Sequence, residues 1–421
     1  MTSIMLSRRG VPHLLIGAPP NAAPRLGESL NLEGSVSVLE LLPEFSQYFL
    51  VKKLAVGFLG DYALTCDFCL ARRKYARSFM KALGYVPPGG FLHLERIGLD
   101  RALYDSAVAS PHCTALDAQV TSIDFDPGTD RVRGVRLSDG RVLEPCYAFD
   151  ATNQGRVLGQ AASVECRMLS DLHRVVYAHY HSDREPDQAQ ETWEHATYVV
   201  RLQEQVDGVD AMAWCIPLGS YVSIGVSCNP ERCTWSDEEV LELVERAYAR
   251  RGLRYTDEFH RRPHVMSLRH RYFAHRRAYG ANWMLSGPAY CQVWWTSGSG
   301  VGTALASARV AADAIRSPLT VGRAYENYIK ELLGIHETFD WFARTDPEQF
   351  TEQNLSDQSD LFIRTNVRRL AKATLTRPSR VGAVLGGLFF RLKGDSLIRG
   401  YCDVRRCELE SQTRLVLGEA A

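Results

Sequence analysis

Two periods of hydrophobic and polar residues divide the chain into elements, one of two residues and one of three to four. Residues 3–10 end a helix that Gly10 closes, and Val11–Ile16 follows as a short buried strand. Pro19, Pro20 and Pro24 then mark a turn. Val56-Gly57-Phe58 reads as a strand, as does Phe91–Glu95, which leads into a helix carrying Leu99, Ala102, Leu103 and Ala107. Val120–Asp126, Val132–Leu137 and Arg141–Phe149 are expected as three strands, turned at Pro127-Gly128 and Asp139-Gly140. Val175–His181, Tyr198–Gln203, Met212–Ile216 and Tyr221–Val226 predict a second sheet. Ser236-Asp237-Glu238-Glu239 caps a helix running to about Arg251, with Gly252 as its stop. Trp283–Leu285 is a short apolar strand, and residues 296–300 open an Ala-rich helix ending near Ile315. The last hundred residues read as mostly helical.

Composition narrows the class. The 421 residues carry 49 basic and 49 acidic side chains, which excludes a nucleic-acid binder built on a basic surface. No apolar run reaches the roughly 18 residues needed to span a bilayer, and Val381–Phe390 reads as a packed helix. The 11 cysteines are odd in number and scattered, with no leader segment ahead of them. The expectation is therefore a cytoplasmic protein with reduced thiols. Cys66-Asp67-Phe68-Cys69 is one CxxC, and Cys228 and Cys233 lie close in sequence. A zinc site would call for paired knuckles, so ordinary buried thiols and no metal are expected. His179 and His181 alternate on a strand and share a face, suited to a metal, a proton shuttle or simple packing. His260, His264, His270 and His275 fall in an Arg-rich stretch read as solvated or anion-facing.

Several short segments occur in a telling order. They are Gly27-Glu28-Ser29-Leu30, Arg96-Ile97-Gly98-Leu99-Asp100, Phe149-Asp150-Ala151-Thr152, Trp214-Cys215-Ile216-Pro217 and Gly298-Ser299-Gly300-Val301 before Ala304, Ala306 and Ala308. Over residues 3–316 this order resembles the flavin-dependent monooxygenase and halogenase family, the tryptophan-halogenase-like FAD oxidoreductases. The resemblance implies an α/β fold: a three-layer FAD-binding Rossmann-like domain with an inserted antiparallel-sheet substrate domain and a C-terminal helical region. Residues 1–60, 91–160 and 280–318 would form the first, 61–90 and 161–279 the second, and 319–421 the third. It implies FAD held by Gly27, Glu28, Ser29, Arg96, Asp150, Gly287, Gly298, Ser299, Gly300 and Val301, with Lys53 as the catalytic lysine that relays the oxidant. It further implies a small aromatic or conjugated substrate, either free or bound to a carrier protein, and a flavin reductase as partner.

Four positions depart from that pattern. The strand and G-x-G-x-x-G turn that the family places before its opening helix have no counterpart in the chain, so the amides that grip the pyrophosphate are missing. Gly17 or Ala18 stands where an acidic residue would bond the ribose, Pro288 replaces an aspartate, and Trp294-Trp295 replaces an Asp-Pro pair. Each hydrogen bond lost to a charged group is worth about 1.5–3 kcal/mol. The departures predict an N-terminally truncated Rossmann-like domain with a weakened or lost flavin site. The alternatives are a flavin-independent, non-redox enzyme or a non-catalytic substrate-binding subunit on the same fold.

Overall fold

The computed structural model describes residues 1–69, 90–181, 196–202, 211–253, 255, 259–261, 264–373 and 402–406. Its dominant feature is a nine-stranded sheet. From one edge the strands run His260–Arg261, His173–His181, Tyr221–Cys228, Ala211–Pro217, Ala196–Arg201, Leu54–Leu59, Tyr62–Asp67 and Cys402–Arg406, and Met266–His270 also pairs with His173–His181. Ala196–Arg201 meets Leu54–Leu59 in parallel, with Tyr198 opposite Val56, while the other pairings are antiparallel.

Every residue of Ala211–Pro217 and Tyr221–Cys228 is buried, so both faces of the sheet centre are covered. Side chains alternate across a strand. Ala213 and Cys215 face the helix Asp237–Ala249, packing with Val240, Val244 and Tyr248. Trp214 and Ile216 face the other way, towards Leu26, Leu50 and Trp295. The helix begins on the predicted capping box: Ser236 Oγ accepts from Glu239 N, and Glu239 reaches back to Ser236 N.

Beside this sheet lie two short parallel pairs, His13–Ile16 with Cys113–Leu116 and Ala148–Asp150 with Trp283–Leu285. The helices Thr2–Arg8, Leu32–Leu41, Arg96–Val108 and Gly300–Arg316 share an apolar core containing Ile4, Val38, Leu99, Leu103, Val301 and Leu305. Two long helices, Pro318–Arg344 and Glu352–Ala373, follow in the C-terminal region.

Several expectations are corrected. Residues 141–149 do not form one strand, because Val142–Leu143 pairs with Val132–Leu137 while Ala148–Asp150 joins Trp283–Leu285. Pro145, which offers no N–H to a ladder, lies between them. Leu54–Leu59 belongs to the large sheet, although residues 1–60 were assigned to the nucleotide-binding segments. The C-terminal region supplies a strand as well as helices, and Cys402 on it is disulfide-bonded to its register partner Cys66, against the expectation of reduced thiols throughout. Within the Arg-rich stretch His275 is buried, not solvated. Val381–Phe390 lies outside the described residues. Among the described residues no helix is long and apolar enough to cross a membrane.

Gly225 tests the packing of the sheet centre. A Cβ there would fall 2.2 Å from the Trp214 ring and 2.6 Å from the Tyr177 Cβ. Overpacking of this kind costs about 1–3 kcal/mol. Gly225→Ala should lower stability by that amount in urea unfolding, whereas Gly334→Ala, in the helix Pro318–Arg344 with nothing within 4 Å of a Cβ, should not.

Candidate functional site

Residues 27–31 cross from the helical core to the large sheet, and their polar groups bond to both. Leu94 N donates to the Glu28 carbonyl at 2.7 Å, and Leu30 N donates to the Leu92 carbonyl at 2.9 Å. The Glu28 carboxylate, 1% exposed, accepts at 2.8 Å from His179 Nε2 on the large sheet. Asn31 caps the helix Leu32–Leu41 by accepting from Gly34 N, and its Nδ2 donates to Ser299 Oγ at 3.1 Å. Arg96 donates to the carbonyls of Leu26 and Gly27 and pairs with Asp100. Gly27 must be small: a Cβ would stand 2.7 Å from Arg96 Nη1.

Ser29 begins a chain of polar side chains. Lys52 Nζ donates to Ser29 Oγ and to the Leu30 carbonyl, each at 2.7 Å. Ser29 Oγ lies 3.0 Å from Thr197 Oγ1, which lies 2.8 Å from His93 Nε2. His93 Nδ1 is 3.1 Å from the Pro217 carbonyl, an acceptor only, so that nitrogen carries a proton. Lys52 sits against the rings of Phe68 and Phe91, at 5.2 and 5.6 Å from their centroids. Burial among these rings pushes the Lys52 ammonium down to about 7.

The predicted lysine, Lys53, is exposed. Neighbours on an extended chain point to opposite faces, so the inward lysine is Lys52, one residue earlier. The remaining predicted residues fall into three groups. Gly27, Glu28, Ser29 and Arg96 come together as described. Gly298, Ser299, Gly300 and Val301 meet them at the start of Gly300–Arg316. Asp150 and Gly287 serve local structure instead. Asp150 accepts from Thr152 N, Thr152 Oγ1 and Leu158 N, and Gly287, at φ +55°, donates to Tyr325 Oη. A Cβ on Gly287 would lie 2.7 Å from Ala304 Cα. His179 is claimed by Glu28 and His181 stacks on Tyr221, so packing and hydrogen bonding account for the pair. Among the described residues no cluster of three or more His, Cys, Asp or Glu side chains could hold a metal.

A flavin would need the start of Gly300–Arg316 open. Gly298 instead backs onto residues 29–31, where a Cβ would fall 2.8 Å from both Asn31 N and the Ser29 carbonyl. Ser299 and Val301 are buried, and the Glu33 carboxylate presses on Gly302, with Oε2 2.4 Å from the position of a Cβ. Helix N-termini attract anions, and this one already has a carboxylate beside its first turn. Arg369 Nη2, fully buried, lies 3.4 Å from Glu33 Oε2 and 3.3 Å from Tyr328 Oη. Gly300 is exposed, but the Pro288 ring lies alongside, with Cγ 4.0 Å from the place of a Cβ. Trp294 packs between His173 and Tyr272 and donates to Asp340, while Trp295 lies against Trp214 at 4.6 Å. A cavity of about 310 Å³ lined by Arg167, His275, Tyr290 and Lys330 touches none of the predicted flavin residues. The residues present do not fit FAD.

Sequence reasoning passed over Lys52, Thr197, His93, Glu33 and Arg369. Only Lys52 left a signal, as one of two adjacent lysines entering a strand. Its depressed pKa has a definite consequence for stability. Between about 7 and the ordinary 10.5 the unfolded chain binds a proton that the folded chain does not. This side chain's contribution to stability therefore rises with pH across that window and is flat below about 7. Lys52→Met should be more favourable at pH 6 than at pH 10, relative to the wild type, by on the order of 4 kcal/mol in urea unfolding.

No family model and no curated protein matches the sequence. Solved structures do match in fold. A flavoprotein/dehydrogenase from Cytophaga hutchinsonii superposes with a TM-score of 0.64 at 16% identity, covering 100% of this chain and 96% of its own. The flavin-dependent brominase Bmp2 gives 0.62 at 15% identity, over 94% and 96%. A point mutant of the halogenase PltM in complex with FAD gives 0.60 at 14%, over 95% of each chain. The chain thus has the fold shared by flavin-dependent halogenases, brominases and a flavoprotein dehydrogenase.

Proposed function

We propose that this protein keeps the small-molecule cleft of the flavin-dependent monooxygenase and halogenase fold, has lost its grip on FAD, and acts on an aromatic or conjugated compound without flavin. The observation that carries the reading is the Glu33–Arg369 pair lodged against the start of Gly300–Arg316. A buried ion pair is strongly destabilised when one partner is displaced, by about 3–5 kcal/mol. An incoming cofactor would have to separate these two groups or leave them in its way. It would also lack the ribose carboxylate, since Gly17 or Ala18 stands in its place.

The cleft supports the substrate class. Leu26, Leu50, Tyr177, Trp214, Tyr221 and Trp295 form one apolar and aromatic cluster on the face of the sheet turned away from Asp237–Ala249. Rings stack well on flat conjugated surfaces. Trp295 Nε1 is buried and has no acceptor among the described residues, which suits a ligand carrying one. The protein's own groups would bind and orient such a compound, exclude water and exchange protons through the chain ending at Ser29. A carrier protein could present the substrate at the Gly27 edge, which is exposed. A flavin reductase has no part in this reading.

FAD titration tests it. The purified protein should be colourless, and 1 mM FAD should raise its unfolding free energy by less than about 0.4 kcal/mol, as for a Kd of 1 mM or weaker. A yellow protein with stoichiometric FAD, or a large thermal shift on adding it, would instead restore FAD-dependent monooxygenase or halogenase chemistry.

A further inference from the structure

Ser29 differs from its partners in the polar chain. Lys52, Thr197 and His93 are all buried, whereas Ser29 is partly exposed. The chain therefore meets solvent at a serine hydroxyl. Behind that hydroxyl lies a lysine amine at 2.7 Å, enclosed by two phenylalanine rings and anchored by a second bond to the Leu30 carbonyl. A serine alone is a poor nucleophile, and an adjacent base makes it a good one.

We propose that Ser29 and Lys52 form a nucleophile and base pair for acyl transfer from an activated ester or thioester whose acyl group is aromatic or conjugated. The proposal rests on the reading of a cleft used without flavin. Neutral Lys52 takes the Ser29 proton as Oγ bonds to the acyl carbon. The resulting ammonium returns that proton to the departing alcohol or thiol as its bond to carbon breaks, leaving an acyl-serine. Water then attacks with Lys52 again as base, the carbon–Oγ bond breaks, Ser29 regains its proton, and the carboxylic acid is released. No electron donor or acceptor is needed. Thr197 and His93 are positioning residues: with His93 Nδ1 protonated towards Pro217, Nε2 accepts from Thr197, whose oxygen then accepts the Ser29 proton at rest, and the Ser29 hydroxyl turns to neutral Lys52 for the attack.

The neutral amine is accessible at ordinary pH, since burial holds Lys52 near 7. The titratable groups on the elements packed around it have other engagements. Glu28 pairs with His179, Glu33 with Arg369, Asp67 accepts from Cys69 N, and His93 is bound to Thr197 and Pro217. Burial is the sole cause acting on the Lys52 ammonium.

A biotinylated fluorophosphonate, which reports activated serines without knowledge of the substrate, tests the pair on the full-length wild-type protein. Peptide mass spectrometry should find one adduct per chain, on Ser29. The labelling rate should rise about tenfold from pH 6 to pH 8 and then level off, as for a base titrating near 7. Ser29→Ala should abolish labelling, and Lys52→Met should slow it at least a hundredfold and flatten the profile, with thermal unfolding used to check that each variant is folded. No adduct, adducts only at other residues, or a rate indifferent to pH on the wild-type protein would overturn the proposal. Labelling at Ser29 in a protein that also binds FAD would sink the flavin-free reading and leave the pair standing. A colourless, unlabelled protein would do the reverse.

Discussion

Residues 27–31 must satisfy their polar groups on three elements at once, and the rest of the site follows from that demand. The Glu28 carbonyl accepts from the strand Phe91–Leu94, its carboxylate from the large sheet, and Asn31 reaches the start of Gly300–Arg316. Buried polar groups left without partners cost about 1–3 kcal/mol each. The segment therefore fixes the spacing between the helical core and the sheet. Lys52 belongs to the same arrangement, because its ammonium is one more donor to residues 29 and 30.

The second constraint is electrostatic. A helix start is a place where negative charge is stabilised, and the chain supplies that charge itself. Glu33 comes from the helix next along the sequence after the Gly27-Glu28-Ser29 segment, and Arg369 from the C-terminal helix. The C-terminal region is thus part of the site, since its guanidinium settles the charge that Glu33 brings into the interior. A fold shared with flavoproteins can carry such a pair because the fold constrains the helices, while ligand choice depends on a handful of groups between them.

Much of this was legible in the sequence where the signal is local. The capping box at Ser236, the strand and helix on either side of Glu95, and the four central strands of the sheet follow from periodicity and capping residues. The segments containing Gly27 and Gly298 were recognisable, and they do meet. What escaped was set by burial and by distant partners. Lys52 and Lys53 are adjacent in sequence, and the alternation of side chains along the extended chain decides which enters the core. The Glu33–Arg369 pair joins residues 336 apart, and neither has a neighbour in sequence that announces it. His275 was misjudged because arginines flank it, although the pleat turns its ring inward.

One edge of the nine-stranded sheet is formed by Cys402–Arg406, laid against Tyr62–Asp67 and tied to it through Cys66. A nascent chain leaving the ribosome has made its first edge partner hundreds of residues before the second exists. Until residues 402–406 have been made, the Tyr62–Asp67 strand offers open backbone groups to any other extended segment, the circumstance in which sheets join wrongly. The large sheet thus waits, with one strand unpaired, on a segment made hundreds of residues later.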